Sequence, residues 1–176
     1  MDLDTAGSSS TTTHLYLHLD ATDLDDEPLA RVGTVERLGP VTRGKILHWL
    51  GVTHAVLTPV IREDRVDAVD THDPPWWMAE QVILRDRTCR FPWCGRDARS
   101  CDLDHIIAYD ENGPPGQTRP NNLAPLCRRH HRAKTAGRWR YQRLPDGTYL
   151  WHGPWHTTYQ VTPNGTQPVI DTHTGH

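Results

Sequence analysis

The amino-acid sequence predicts an α+β fold on the basis of three observations. Some short segments alternate apolar and polar residues as half-buried strands do, others place apolar residues at helical spacing, and Cys and His residues recur in two short-spaced pairs. Only 36% of the 176 residues are hydrophobic, and no apolar run reaches the ~18 residues of a membrane-spanning helix. We therefore expect a polar chain with no membrane partner, folded as one domain or two small ones.

Outside a central segment at 85–143, the sequence predicts disorder, a small extension and a C-terminal hairpin. Residues 1–13 are rich in Ser and Thr and lack both periodicity and the features of a signal peptide, which predicts disorder. Residues 14–84 are expected to form an N-terminal α+β extension of unknown role, and residues 144–176 a hairpin with its turn at Asp146-Gly147, followed by a tail. Individual strands are predicted at 14–20, 31–38 and 55–61, and helices at 42–51 and 75–86.

The central segment holds the paired Cys and His residues. Cys89 and Cys94 form one pair, and Cys127 and His130 form a second pair after 32 intervening residues. Proteins hold zinc tetrahedrally with Cys and His, usually as two short-spaced pairs joined by a longer loop. The spacing predicts a structural zinc site with three Cys and one His, and Cys101 is expected to be a spare residue in the core. This use of four cysteines favours a reducing cytoplasm over a secreted disulfide scaffold.

Charge is divided unevenly along the chain. Residues 85–143 contain 13 Lys/Arg and 6 Asp/Glu, a net charge of +7, whereas the remaining residues carry −10. A basic segment in an otherwise acidic chain indicates contact with the phosphates of a nucleic acid.

A second polar group lies within the same segment. Asp104 and His105 belong to the strand-like run CDLDHII and face opposite sides of it unless a bend brings them to one pocket. His131 follows His130 on a helix predicted to begin near Arg128, and consecutive helical residues point about 100° apart. Asp104 and His131 offer the carboxylate oxygen and imidazole nitrogen that suit Mg²⁺, Mn²⁺ or a similar ion. His105 would remain free of metal and, with an ordinary pKa near ~6.5, able to deprotonate water.

The runs DLDHIIAY and NNLAPLCRRHHRAK, with the Gly/Pro-rich loop between them, resemble an HNH endonuclease of the zinc-containing ββα-metal type. The resemblance covers about residues 85–140 and is closest to HNH modules at the C-terminal end of actinobacterial proteins of unassigned function. It implies a zinc-stapled hairpin–helix module, with one strand ending at Asp104-His105, a second strand near 122–126 and a helix from about Arg128. Because Met1 precedes a linker-like run, the chain is also expected to be the C-terminal piece of a longer protein.

The resemblance also implies a role for each matching position. His105 is similar to the general base, Asp104 and His131 resemble the catalytic metal ligands, and Asn122 matches an Asn that either braces the loop carrying the base or adds a metal contact. The implied structural zinc ligands are Cys89, Cys94, Cys127 and His130. The expected phosphate contacts lie in or beside the helix: Arg128, Arg129, Arg132 and Lys134.

These expectations predict a divalent-metal-dependent endonuclease that hydrolyses phosphodiester bonds of DNA and leaves 5′-phosphate and 3′-hydroxyl ends. Two alternatives stay open. One is a zinc-stabilised nucleic-acid-binding module without catalysis, which shares the zinc ligands and the basic segment but gives no reason for the catalytic-type residues. The other is the same chemistry acting on RNA.

Overall fold

The computed structural model describes residues 16–18, 32–36, 38–52 and 65–170, and it divides into two units, Met1–Val60 and Ile61–His176. In the first unit an antiparallel sheet is formed by β1 (Leu17–His18), β2 (Val32–Val35) and β3 (Gly39–Thr42), which leads into helix α1 (Arg43–Val52). This confirms the predicted helix near 42–51 and the strand within 31–38. The strand predicted at 55–61 and the disorder predicted at 1–13 lie outside the described residues.

The second unit contains the predicted hairpin and helix. Strand β4 (Asp102–His105) pairs antiparallel with β5 (Leu123–Leu126), and helix α3 (Arg128–Thr135) follows directly. Ahead of them lies helix α2 (Trp76–Asp86). The fold is therefore α+β, as predicted, with a hairpin–helix module at its centre.

Strand β5 is buried on both faces, and this explains its apolar sequence, LAPL. Leu123 packs with Met78 and Val82 of α2. Ala124 and Leu126 pack on the opposite side, in a core that includes aromatic residues from the C-terminal strands. Successive strand residues point to opposite faces, so β5 joins two cores that α2 and the C-terminal strands complete.

The C-terminal strands form a four-stranded antiparallel sheet. Its strands are β6 (Arg140–Arg143), β7 (Tyr149–His152), β8 (Thr158–Thr162) and β9 (Gly165–Pro168), and they pair in sequence order. The predicted turn at Asp146-Gly147 is confirmed, with Gly147 at a positive φ of 87° and the Thr148 N–H donating to Asp146 Oδ1. The sheet extends the predicted hairpin by two further strands.

A buried polar network holds α2 against the hairpin and the sheet. The Arg85 guanidinium donates to the carbonyls of Pro120 at 2.6 Å and Leu123 at 2.7 Å, and to the Tyr149 hydroxyl at 2.9 Å. Tyr149 in turn donates to Asp86 Oδ2 at 2.8 Å. Helix α2 thus fixes the position of β5. The boundaries predicted at 84/85 and 143/144 stay predictions.

Candidate active site and zinc centre

Three cysteines and one histidine meet where the hairpin joins α3. The ligand atoms of Cys89, Cys94, Cys127 and His130 all lie within 4.8 Å of one another. His130 Nδ1 is 3.3 Å from Cys127 Sγ and 3.6 Å from Cys89 Sγ. Tetrahedral zinc with bonds of about 2.0–2.3 Å spaces such ligands about 3.5–3.8 Å apart. The set predicted from spacing is therefore brought together in a form that can hold zinc.

Neighbouring groups orient these ligands. The Phe91 ring stacks on the His130 imidazole with centroids 3.8 Å apart and planes at 12°, which fixes the direction of Nδ1. The backbone N–H of Cys127 donates to Cys89 Sγ at 3.3 Å. Cys101 packs beside the group as a half-buried residue, and burial raises its pKa to about 11. Its thiol donates to the Asp97 carbonyl at 3.3 Å, which agrees with its predicted role as the spare cysteine.

The imidazole of His131 lies between two carboxylates of β4. His131 Nδ1 is 3.0 Å from Asp102 Oδ2, and Nε2 is 3.2 Å from Asp104 Oδ1. Because a carboxylate accepts, the contact with Asp102 places a proton on Nδ1 and directs Nε2 toward Asp104. Two adjacent ligands of an octahedral ion, bound at about 2.1 Å, lie about 3.0 Å apart. Asp104 and His131 therefore fit a shared Mg²⁺- or Mn²⁺-like ion.

The Asp104 carboxylate is buried among donors. Only 4% of the residue is exposed. The Tyr141 hydroxyl donates to Oδ2 at 2.7 Å, and Lys134 Nζ lies 3.1 Å from Oδ2 and 3.2 Å from Oδ1. Lys134 also donates to the His105 carbonyl at 2.6 Å. These donors pair both oxygens of the buried carboxylate.

His105 ends β4, and its side chain contacts different partners from the side chain of Asp104. Its Nε2 is 2.8 Å from Thr118 Oγ1, and its ring centroid is 5.1 Å from that of His72 and 5.6 Å from that of Tyr109. Burial lowers the pKa of His105 below 6.5, and the charge of His72 lowers it further, although Asp104 raises it. The imidazole is therefore neutral at pH 7, the form that can accept a proton from water.

Asn122 braces the loop that follows His105. Its Nδ2 donates to the carbonyls of Gln117 at 2.9 Å and Ile107 at 3.1 Å, and its Oδ1 accepts from the Ile107 N–H at 2.9 Å. The neighbouring Asn121 is exposed and accepts only a 3.3 Å contact from Arg143. Of the two implied roles for Asn122, bracing is therefore the one that the hydrogen bonds match.

A comparison with known families identifies the segment that holds both centres. Residues 89–137 match the model of the HNH endonuclease family, and this segment contains both donor sets as well as His105. The match assigns this segment, and not the whole chain, to the HNH endonuclease family. The predicted resemblance is thereby confirmed, and the domain indicates a nuclease or another nucleic-acid-related function.

The similarity to other proteins extends beyond the HNH domain. The chain is 40% identical to the uncharacterized protein Rv3776 of Mycobacterium tuberculosis (strain ATCC 25618 / H37Rv) over 117 residues, covering 55% of this chain and 22% of the relative. It is 40% identical over 110 residues to the uncharacterized proteins Rv2100 of the same strain and MT2160 of strain CDC 1551 / Oshkosh, covering 62% of this chain and 19% of each relative. The chain thus spans about a fifth of the length of these relatives. No solved structure matches it significantly.

The basic residues expected to contact phosphates divide into two groups in the HNH domain. Arg129 and Arg132 are exposed on α3. The Arg128 side chain is 76% exposed, with one guanidinium nitrogen 3.0 Å from Asp102 Oδ1. Lys134 turns inward, with 17% of its side chain exposed and its ammonium on Asp104. Three of the four are therefore open to a ligand, and the phosphate contact of each stays a prediction.

The HNH domain uses residues that sequence reasoning missed. Asp102 is two positions before Asp104, so the Asp-x-Asp spacing on an alternating strand could have placed both on one face. Tyr141 and Thr118 reach Asp104 and His105 from distant positions in the sequence, and no local pattern marks them.

None of the described helices is long and apolar enough to cross a bilayer.

Proposed function

We propose that this chain is a divalent-metal-dependent endonuclease that hydrolyses phosphodiester bonds of DNA. The observation that supports this most strongly is the 3.2 Å approach of Asp104 Oδ1 and His131 Nε2, with His105 as the next residue of the strand. One pair of donors can hold an ion while a separate, neutral imidazole takes a proton.

The mechanism assigns a task to each side chain. His105 accepts a proton from water as the water oxygen attacks phosphorus in line and the bond from phosphorus to the 3′ oxygen breaks. The leaving 3′ oxygen takes a proton from solvent, so the products carry 5′-phosphate and 3′-hydroxyl ends. Asp104 and His131 would hold Mg²⁺, Mn²⁺ or a similar ion, and Asp102 would keep His131 in the metal-binding tautomer. When bound, the ion supplies positive charge at the scissile phosphate and the leaving oxygen.

The second metal centre has a structural task in this proposal. Zinc held by the Cys3His set would tie the start of α3 to the Cys89–Cys94 turn and so fix His131, the residue after His130. Zinc binding of this kind contributes directly to folding. The reduced thiols that zinc requires agree with a cytoplasmic protein.

A nucleic-acid-binding module without catalysis is the second candidate, and the position of Lys134 favours it. The ammonium lies within 3.2 Å of both oxygens of Asp104 and balances the buried carboxylate without a metal ion. In that case Asp104 and Lys134 would be a structural ion pair, and the exposed arginines of α3 would bind phosphates only.

Cleavage of supercoiled plasmid DNA tests the two candidates. We expect zinc-loaded protein to nick or linearise the plasmid when Mg²⁺ or Mn²⁺ is added. The same protein should be inactive in EDTA-treated buffer that contains neither ion. His105→Ala should abolish cleavage while the zinc content stays unchanged, and His152→Ala, at an exposed histidine of β7, serves as the matched control. Plasmid binding without cleavage in every metal would favour the binding module, and structured RNA as a parallel substrate tests the preference for DNA.

A further inference from the structure

We propose that Thr118 is a positioning residue for His105: its hydroxyl holds the imidazole proton on Nε2, so that Nδ1 is the atom that accepts a proton from water. The reaction step rests on the proposed endonuclease function. The assignment of the proton to Nε2 rests on geometry alone and can be measured without any substrate.

The direction of two hydrogen bonds carries this inference. Thr118 is completely buried, and its Oγ1 lies 2.8 Å from His105 Nε2 and 3.3 Å from the carbonyl oxygen of His72. A carbonyl oxygen can only accept, so the single hydroxyl proton points to His72. The same oxygen then accepts from His105, and Nε2 must carry the proton.

The opposite tautomer is disfavoured in this environment. It would turn the Thr118 hydroxyl proton toward His105 and remove that donor from the His72 carbonyl. The Thr118 hydroxyl is buried and its hydrogen bond to this carbonyl is partly buried, so losing the bond lowers the stability of this arrangement. Among the described residues no side chain or backbone group hydrogen-bonds to His105 Nδ1, so its lone pair is the one that remains to accept a proton.

The carbonyl of His72 is itself held in place. The Val69 N–H donates to the Thr118 carbonyl at 2.9 Å, the Gly116 N–H donates to Asp70 Oδ1 at 2.7 Å, and the Tyr109 hydroxyl donates to the Asp70 carbonyl at 2.7 Å. Residues 69–72 lie outside the matched segment 89–137. The catalytic site therefore extends to a part of the chain that the family match does not include.

Nitrogen-15 NMR of histidine-labelled, zinc-loaded protein tests the tautomer directly. We expect wild-type His105, above its pKa, to show a protonated Nε2 and an unprotonated Nδ1. Thr118→Val removes the hydroxyl and should give a mixture of tautomers, whereas Thr118→Ser should restore the wild-type signature. His72→Ala keeps the backbone carbonyl, so it should leave the tautomer unchanged.

Cleavage kinetics provide the second readout. In Thr118→Val, kcat should fall by about 10- to 100-fold, less than the ~10²–10⁴-fold that a general base supplies, while KM stays the same. Thr118→Ser should recover most of kcat. A protonated Nδ1 in the wild type, or a Thr118→Val protein with unchanged tautomer and kcat, would overturn the proposal. If Thr118→Val fails to fold, the wild-type and Thr118→Ser spectra decide. A protein with the expected tautomer that cleaves no DNA would contradict the proposed function and leave the role of Thr118 in place.

Discussion

Asp102 Oδ2 lies 3.0 Å from Nδ1 of His131, and the other nitrogen of the same ring faces Asp104. The two residues are 29 positions apart, on β4 and α3. A carboxylate behind a metal-binding histidine fixes its ring orientation and strengthens it as a ligand.

We therefore predict that Asp102→Asn weakens binding of the catalytic ion without changing zinc binding. The amide can still contact the ring but no longer supplies a negative charge, so the affinity for Mn²⁺ should fall by about 10- to 100-fold. Titration calorimetry of the zinc-loaded protein with Mn²⁺ measures this. Glu111→Gln, at an exposed carboxylate, should leave Mn²⁺ affinity unchanged. Equal Mn²⁺ affinities for wild type and Asp102→Asn would show that the contact has no role in metal binding.

Lys134 gives a prediction of opposite sign. Its ammonium lies 3.1 Å from Asp104 Oδ2 and competes electrostatically with any cation that binds this carboxylate. Lys134→Met should therefore tighten Mn²⁺ binding by about 10-fold, equivalent to about 1.4 kcal/mol. Arg132→Met removes an exposed charge from the same helix and should weaken DNA binding only. Weaker Mn²⁺ binding by Lys134→Met would mean that the ammonium supports the metal site instead of competing for it.

The proposed zinc ligands predict that substitutions of two cysteines have different effects on zinc content and folding. Cys89→Ser removes a ligand, so zinc content should fall and thermal unfolding of the HNH domain should lose its cooperative transition, because zinc binding and folding are coupled. Cys101→Ser changes a cysteine outside the set and should retain zinc. Elemental analysis combined with circular dichroism melting measures both effects. An unchanged melting curve for Cys89→Ser would be incompatible with a zinc-stapled module.

The network under α2 should dominate the stability of the second unit. Asp86 is 4% exposed and contacts Arg85, Arg90 and Tyr149. Replacing it with Ala leaves the buried Arg90 and the half-buried Arg85 without their carboxylate, at an expected cost of about 3–5 kcal/mol in the free energy of unfolding. Tyr149→Phe removes one hydroxyl and should cost about 1 kcal/mol. Urea denaturation of zinc-loaded protein measures both changes, and similar losses for the two variants would argue against a charge-dependent network.

Local patterns in the sequence were sufficient for much of this site. The two members of each pair of zinc ligands lie only a few residues apart. Their spacing is therefore visible in the sequence whatever the arrangement of the rest of the chain. His130 and His131 are consecutive on a helix, and the helical rotation alone sends them to different sites. The strand and helix signals of the hairpin module are likewise local, and the family resemblance supplied their order.

The contacts that tune the site could not be predicted in this way. Tyr141 reaches Asp104 across 37 positions, and Thr118 depends on the carbonyl of His72, 46 positions away. A carbonyl exists at every residue, so no side-chain pattern reveals which one will be used. The last strand of the C-terminal sheet was missed for a related reason: β9 is largely exposed and has no alternation of apolar residues, and its pairing with β8 defines it.

A single peptide bond separates His130, which faces the thiols, from His131, which faces the carboxylates. Loss of zinc would detach the first turn of α3 from the other zinc ligands. His131 lies in this turn and would no longer be held beside Asp104. Under the proposed function, the nuclease would thus be inactive in a zinc-deficient cell, even at a high magnesium concentration.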